Sequence, residues 1–385
     1  MMLSCQRDLF QLDEEVAYMN GAYMSPQLKS VAAAGVHALA LKNAPNRITT
    51  DHFFDAVTRV KQEFARLVDA GDAQRVAFIP SASYGIATVA ANLPLSAGQE
   101  ILIAQDQFPS NVYSWMRVAE QADARVRIIG VADGPNKGQR WNEALLEAIG
   151  ANTACVAISH VHWAEGVLFD MAALRARTYE VGAWLVVDGT QSVGALPFSV
   201  QEWPVDALVC AAYKWMMAPY GTALAWYGPA MDGGIPIEEN WINRKDSHDF
   251  KNLVNYQPAY QPGAGRYCMG EQSNFVLLPM LETALQQLNA WQPARIQTYL
   301  EQLNAPWLEQ LHQAGFSILP STQRAHHLLG VGLPQGLSME TIQQAVTQAG
   351  VMVSFRGQSI RVAPNVYNHA NDWQRLTDAL LSTLL

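Results

Sequence analysis

The stretch Trp184-Leu185-Val186-Val187-Asp188-Gly189-Thr190-Gln191 sets an unbroken apolar run against a carboxylate, a glycine and an amide. A run this continuously apolar reads as a strand buried on both faces, the mark of a parallel sheet covered by helices. Outward from it, short apolar runs of the same kind recur at 76–79, 100–104, 125–129, 154–158, 207–210 and 223–226. Helix-like segments at 110–122, 141–149 and 170–181 separate several of them. This alternation predicts an α/β fold with a seven-stranded, mostly parallel sheet. Upstream, Thr50-Asp51 followed by Phe53, Phe54, Val57, Val60, Phe64 and Leu67 predicts a capped amphipathic helix that ends by Gly71.

Residues 228–274 change character, with Gly, Pro, Asn and charged residues and little periodicity. They predict long loops near a site or a subunit contact. Periodicity resumes with helices at 275–290 and 294–314, strands at 316–319 and 328–331, a helix at 338–349, strands near 351–355 and 359–363, and a last helix from 371. The predicted organisation is a large domain over 15–274 and a smaller α+β C-terminal domain over 275–385, joined by residues 1–14.

Composition narrows the class. In 385 residues, hydrophobic residues make up 50% and charged residues 15%, which excludes disordered and coiled-coil scaffolds. Lys plus Arg is 25 against 34 for Asp plus Glu, a net charge of −9. That argues against nucleic acid or an anionic membrane as partner. The four cysteines, at 5, 155, 210 and 268, form no CxxC pair, so no zinc-ribbon spacing exists, no metal site is predicted, and a reduced cytoplasmic setting is expected. No run of about 18 apolar residues suggests a membrane span.

Ligands of open α/β sheets bind beyond the carboxyl ends of the strands, so the residues after each run are candidates for chemistry. Ser81-Ala82-Ser83-Tyr84-Gly85 follows one strand and opens a helix, presenting hydroxyls and free N–H groups to an anion; taken alone, it reads first as an ordinary helix cap. Asp188 ends a buried strand, where an unpaired carboxylate is costly, and Gln191 follows it. One strand further on, Ala212-Tyr213-Lys214-Trp215 sets an amine between aromatics, a position that tunes lysine toward Schiff-base chemistry. Gly263-Ala264-Gly265 lacks the third glycine and the preceding strand of a dinucleotide fingerprint. His160 and His162 are not read as a metal pair. His160 reads as a core residue, and His326-His327 as surface.

Taken together, Asp188, Gln191 and Lys214 resemble the core of fold-type I pyridoxal-phosphate enzymes, and within them the class V aminotransferase family. The resemblance extends to Tyr18-Met19-Asn20-Gly21-Ala22, to Ser159-His160-Val161-His162-Trp163-Ala164-Glu165-Gly166 and to Ile360-Arg361-Val362-Ala363-Pro364-Asn365-Val366-Tyr367-Asn368. It implies pyridoxal 5'-phosphate as cofactor, with Lys214 as the lysine that carries it and moves the substrate's Cα proton. Asp188 then holds the pyridine nitrogen protonated and Gln191 meets the ring oxygen. Ala82 and Ser83 take the phosphate with help from Tyr213, and Phe108 stacks on the ring. Arg361 becomes the substrate-carboxylate clamp with Arg356 beside it, and His162 or Trp163 lines the substrate pocket.

Departures from the family pattern narrow this. The cysteine desulfurase branch carries a catalytic cysteine between two C-terminal arginines, and Phe355-Arg356-Gly357-Gln358-Ser359-Ile360-Arg361 has none. Phe108 stands where desulfurases place a histidine, as in the kynureninase-like branch. The residues that reach the partner subunit's phosphate read here as Gly270-Glu271-Gln272-Ser273-Asn274, with a carboxylate where a hydroxyl is expected, so Ser273 or Gln272 becomes the candidate contact. The implied protein is a homodimer with shared sites, acting on a small α-amino acid by transamination. Lyase chemistry on a C–S or C–C bond, or epimerisation, is the alternative. A catalytically idle protein of this fold predicts loss of Lys214, Asp188 or Arg361, and all three are present.

Overall fold

The computed structural model describes residues 3–357 and 359–384. Gln358 of the short 355–361 loop and three terminal residues of the predicted small domain lie outside the described residues. In chain order the elements begin with β1 (Ala17–Tyr18), α1 (Lys29–Asn43), α2 (Asp55–Leu67), β2 (Val76–Ile79), α3 (Ala82–Asn92), β3 (Glu100–Ala104), α4 (Tyr113–Gln121) and β4 (Arg125–Ile129). Then follow α5 (Lys137–Ala148), β5 (Thr153–Ser159), α6 (Met171–Val181), β6 (Trp184–Asp188), β7 (Ala207–Ala211) and β8 (Ala223–Tyr227). The chain closes with α7 (Leu277–Trp291), α8 (Pro293–Gln313), β9 (Ser317–Ile318), β10 (Leu329–Gly332), α9 (Met339–Gln348), β11 (Val351–Met352), β12 (Ser354–Arg356), β13 (Ser359–Val362) and α10 (Ala370–Leu381).

The large sheet has seven strands in the order β2-β8-β7-β6-β5-β3-β4. β8 runs antiparallel to both its neighbours, and the pairs from β7 through β4 are parallel. The mostly parallel sheet read from the apolar runs is therefore present. Its central strands are buried along their whole length because helices cover both faces, which is why their sequences do not alternate. A second sheet of four antiparallel strands, β12-β13-β10-β9, belongs to the C-terminal region.

The packing runs across the predicted boundary at 274/275. α7 lies against α1 and α2, and its Leu278, Leu281, Leu285 and Leu288 share one core with the large sheet. α8 starts in that core with Ile296 and Leu300 and ends in the C-terminal core with Leu308 and Leu311. At the other end of the chain, β1 pairs in parallel with β11.

α1 is an element that the periodicity does not announce. Its sequence is alanine-rich, it leaves Val36 and Leu39 in solvent, and it approaches α7 where Gly35 meets Met280. A small-residue contact of this kind leaves no apolar stripe to read. In the 50–67 stretch the α-helix begins only at Asp55, after a short 3-10 turn over Thr50–Phe53 with Thr49 as cap.

Candidate active site

Functional groups converge at the carboxyl edge of the large sheet. Ser159 closes β5, Asp188 closes β6, and β7 exits through Ala212 and Tyr213 to Lys214. The register sets Ser159 directly beside Asp188. β2 leads into α3, and together these ends enclose a cavity of about 190 Å³.

At one end of the cavity Ser81 caps α3. Its Oγ accepts from the Tyr84 N–H at 3.2 Å and lies 2.9 Å from the Ser83 hydroxyl. The N–H groups of Ala82 and Ser83, in the first helical turn, have no partner within the helix, so the turn favours an anion. α3 comes this close to the sheet because residue 85 is glycine: a Cβ there would stand 2.6 Å from Val209 Cγ1.

The floor holds the charged pair. Asp188 is buried, and its Oδ1 accepts from the Thr190 N–H at 2.9 Å, while Thr190 Oγ1 accepts from the Ala211 N–H at 3.0 Å. Burial raises the Asp188 pKa, against the Thr190 hydrogen bonds and the Lys214 charge, which lower it. Lys214 is 6% exposed, with Nζ 5.3 Å from the Phe108 ring centroid and 5.6 Å from that of Tyr213. Burial pushes its pKa down to about 8. Asp188 works in the opposite direction, and Arg361 and Arg356 add to the depression.

The turn carrying Lys214 is held from behind. Ala218 N–H donates to Ala212 O at 3.0 Å, and Met217 takes a positive φ of 55°. Gly194, with φ 104°, lies against this turn; a Cβ there would meet Trp215 O at 2.4 Å. Trp215 Nε1 donates to Gln191 Oε1 at 2.9 Å, and Gln191 Nε2 donates to Ala22 O at 3.1 Å. One amide hydrogen of Gln191 is left for a ligand. The segment around Ala22 thus reaches the site through its carbonyl.

Trp163 forms part of the cavity wall, donates through Nε1 to Asp106 O at 2.6 Å and meets Phe108 edge-on at 5.4 Å. Arg361 and Arg356 stand beside this wall, with guanidinium carbons 5.9 Å and 5.3 Å from the Trp163 ring centroid. Arg361 donates to Trp163 O at 3.0 Å and to Ser354 Oγ at 3.3 Å.

One of the predicted residues falls elsewhere. His162 is fully buried against Trp141 and Phe169, with Nε2 3.1 Å from Gln105 O. Its ring is fixed in the interior, and burial lowers its pKa to about 4. Both residues lie beyond the end of β5, where the chain turns at Trp163 and sends that indole to the cavity while His162 packs inward. Ser273, expected at the partner subunit's phosphate, donates within its own protomer to Phe53 O at 2.6 Å, and Phe53 also packs in an aromatic cluster with Trp241 and Phe250.

His327 overturns the surface expectation. It is fully buried, with Nε2 2.7 Å from Gln191 O, Nδ1 3.0 Å from Gln297 Nε2, and its ring 4.5 Å from Trp215. Adjacent histidines leading into a strand face opposite ways, so only His326 keeps an outer position, near Glu301. The sequence signal is spacing: His327 precedes the buried Leu329 and Val331 by steps of two. Ser159 and Gln107 also escaped a role in the sequence reading. Both line the cavity, and Ser159 Oγ and Gln107 Nε2 are buried without a partner among the described residues.

These orphaned groups fit a flat heteroaromatic phosphate. An anion-favouring helix start lies at one end, a buried carboxylate at the other, a phenylalanine ring at the side, and an amine below. A model of the family described as "Aminotransferase class-V" matches residues 25–371. The chain belongs to the class V aminotransferases. Members of this family are pyridoxal-phosphate enzymes, and pyridoxal 5'-phosphate is the cofactor of this one. The chain is 24% identical over 368 residues to the kynureninase of Pseudomonas fluorescens, covering 91% of this chain and 84% of that one. It is 23% identical over 334 residues to the isopenicillin N epimerase of Streptomyces clavuligerus, with 84% and 83% covered. Among solved structures, the cystine C–S lyase C-DES in complex with cysteine persulfide superposes with a TM-score of 0.84 at 16% identity, covering 96% and 98% of the two chains. The cysteine desulfurase CsdA of Escherichia coli does so with 0.81 at 17%, covering 98% and 97%. At these identities the structural likeness concerns the class V aminotransferase fold.

Proposed function

We propose that this class V aminotransferase transfers the amino group of a small α-amino acid, with Lys214 as the cofactor-bearing base. The observation that carries the reading is the Lys214 amine itself. It is buried between Phe108 and Tyr213, depressed to about 8, and shares one floor with a buried carboxylate. Near neutral pH a useful fraction of such an amine is uncharged and nucleophilic. Bound in the cavity, the cofactor supplies an electron sink for the pair left at the substrate Cα when a bond to it breaks.

The residues divide the remaining work. Ala82 N–H, Ser83 N–H and the Ser83 hydroxyl hold phosphate, with Tyr213 at the rim. Asp188 keeps a proton on the pyridine nitrogen, and Thr190 holds the carboxylate in place. Gln191 meets the ring oxygen with its free amide hydrogen, and Phe108 stacks on the ring. Arg361 takes the substrate carboxylate in a two-point contact. Lys214 Nζ then removes the Cα proton and returns it elsewhere.

The experiment is to load the protein with cofactor and supply a panel of amino acids together with 2-oxo acids. Formation of a new amino acid from the added oxo acid supports transfer. Release of alanine, sulfide or pyruvate without an acceptor would replace it with the lyase reading. That reading draws on Phe108, which stacks without offering a titratable group, and on the kynureninase relative.

The site is completed by a second copy of the chain in a homodimer. This rests on the exposed Trp241, Tyr220 and Tyr23 and on Gln272, whose Oε1 is buried without a partner among the described residues. Mixing Lys214→Ala protein with a Gln272/Ser273 double-alanine variant restores activity if one hybrid site holds both intact parts, and a fully active monomer in sedimentation would exclude it. All four cysteines are unpaired, which suits the reducing cytoplasm. Among the described residues no helix is long and apolar enough to cross a membrane.

A further inference from the structure

Nine arginines among the described residues find an acid. Arg59, Arg75, Arg175 and Arg244 each lie within 4.0 Å of a carboxylate, as do Arg7, Arg66, Arg125, Arg127 and Arg177. Of the arginines without one, Arg361 and Arg356 are set apart by place: both lie over Trp163 in the cavity wall, while Arg266 and Arg295 share only the buried, unpartnered Nε. Among the described residues neither has a carboxylate within that distance, and the Nε of each is buried without a partner.

The hairpin that carries them aims both one way. Arg361 pairs with Ser354 across β12–β13, and Arg356 is two residues from Ser354, so all three side chains leave the same face. Both guanidinium groups sit over one indole, Trp163, which walls the cavity. Their remaining donors are spent unequally. Arg361 uses both terminal nitrogens, on Trp163 O and Ser354 Oγ, and Ser354 in turn donates to Asn20 Oδ1 at 2.7 Å. Arg356 uses one, on the carbonyl of its own neighbour Phe355 at 2.7 Å. Its outer nitrogen and its Nε remain for a ligand.

Two like charges beside one ring, with no acid supplied, raise the energy of the free site by mutual repulsion. A single substrate carboxylate neutralises one of them. Resting on the amino-acid reading of the site, we infer that the preferred substrate is dianionic: an α-amino acid whose side chain ends in a second acid group, with the α-carboxylate on Arg361 and the side-chain anion on Arg356.

The test measures binding of unreactive anions to the cofactor-loaded protein by calorimetry, comparing succinate and glutarate with propionate and butyrate. The dicarboxylates bind roughly tenfold tighter or more, the ratio expected of one added charge-assisted contact. In Arg356→Gln this ratio falls to within about twofold while the monocarboxylate affinity holds, and Arg356→Lys, which keeps the charge, retains most of the preference. Arg356 is only part-buried, so neither variant threatens the fold. Equal binding of mono- and dicarboxylates by the wild type overturns the inference, as does an Arg356→Gln variant that weakens both classes equally. The visible absorbance of the loaded protein reports separately on cofactor binding. A colourless protein defeats the parent reading, whereas a coloured protein without dicarboxylate preference defeats this one alone.

Discussion

The two ends of the large sheet both bury charge, and they treat it in opposite ways. At the amino edge, Glu100 opens β3 almost fully buried and is met by Arg125 at 3.0 Å and Arg127 at 3.4 Å on the adjacent strand. There too Asp206, just before β7, accepts from Arg175 at 2.8 Å and from the Leu185 N–H at 2.7 Å. At the carboxyl edge, Asp188 keeps backbone and hydroxyl partners only, Lys214 faces aromatic rings, and Arg356 and Arg361 lack acids. Charge neutralised within the chain serves stability; charge left open awaits a ligand. The parallel strands make the division possible, because every loop that leaves the carboxyl edge does so on the same side.

The contrast breaks most visibly at Lys214. Lys214→Ala is expected to lose the visible absorbance of bound cofactor and to lower turnover by at least 10²–10⁴-fold, roughly what a positioned base contributes. Spectra and steady-state rates check this, and retained absorbance would place the anchoring amine elsewhere. Next comes Asp188→Asn, which keeps the shape and removes the charge. Cofactor is retained, and kcat falls by about 10²–10³-fold, the scale of one electrostatic contact in a dry site; unchanged kcat would refute the role.

The rate at which apoprotein captures cofactor tests the burial of Lys214. A folded-state pKa depressed from 10.5 to about 8 makes the neutral amine available at lower pH, so the rate rises through pH 8 and levels off above it, not near 10.5. Because Asp188 raises the Lys214 pKa, Asp188→Asn shifts this midpoint to lower pH. The same sign holds for apoprotein stability. Between the two pKa values the unfolded chain holds the proton that the folded chain has lost, so this lysine's contribution improves as pH rises through that window.

At the opposite edge Glu100→Gln should cost stability and spare chemistry. Its arginine partners are 71% and 46% exposed, which screens the pairs, so the loss is about 1 kcal/mol by denaturant titration with kcat/KM within twofold. Smallest of all, Cys→Ala at 5, 155, 210 or 268 leaves kcat/KM within about threefold, since none of these residues lines the cavity. A larger loss at one of them would revive a thiol-based mechanism.

What the sequence makes legible follows the same division. The sheet could be read because a strand buried on both faces is apolar throughout, and Asp188 and Lys214 stood out because charge at the tip of such a strand has no cheap structural use. Trp163 came through on its place in a motif. His162, its neighbour, did not reach the cavity, since the chain turns beyond the end of β5 and a motif does not state which side chain of a turn faces in. His327 was hidden for a different reason: its partners, Gln191 and Gln297, are 136 and 30 residues away in the chain. α1 was hidden because contacts made through small residues carry no stripe.

The pairing of β1 with β11 has a consequence for how the enzyme is made. Asn20 receives the Ser354 hydroxyl across 334 residues of chain and forms a bridge with Ala363, while nearby Ala22 O takes the amide of Gln191. During synthesis the segment around Asn20 leaves the ribosome long before its strand partner exists, so the large sheet can assemble while one rim of its own pocket is still without a seat. The first residues of the site to be translated are then among the last to dock, and the cavity is finished only when the hairpin that bears Arg356 and Arg361 arrives.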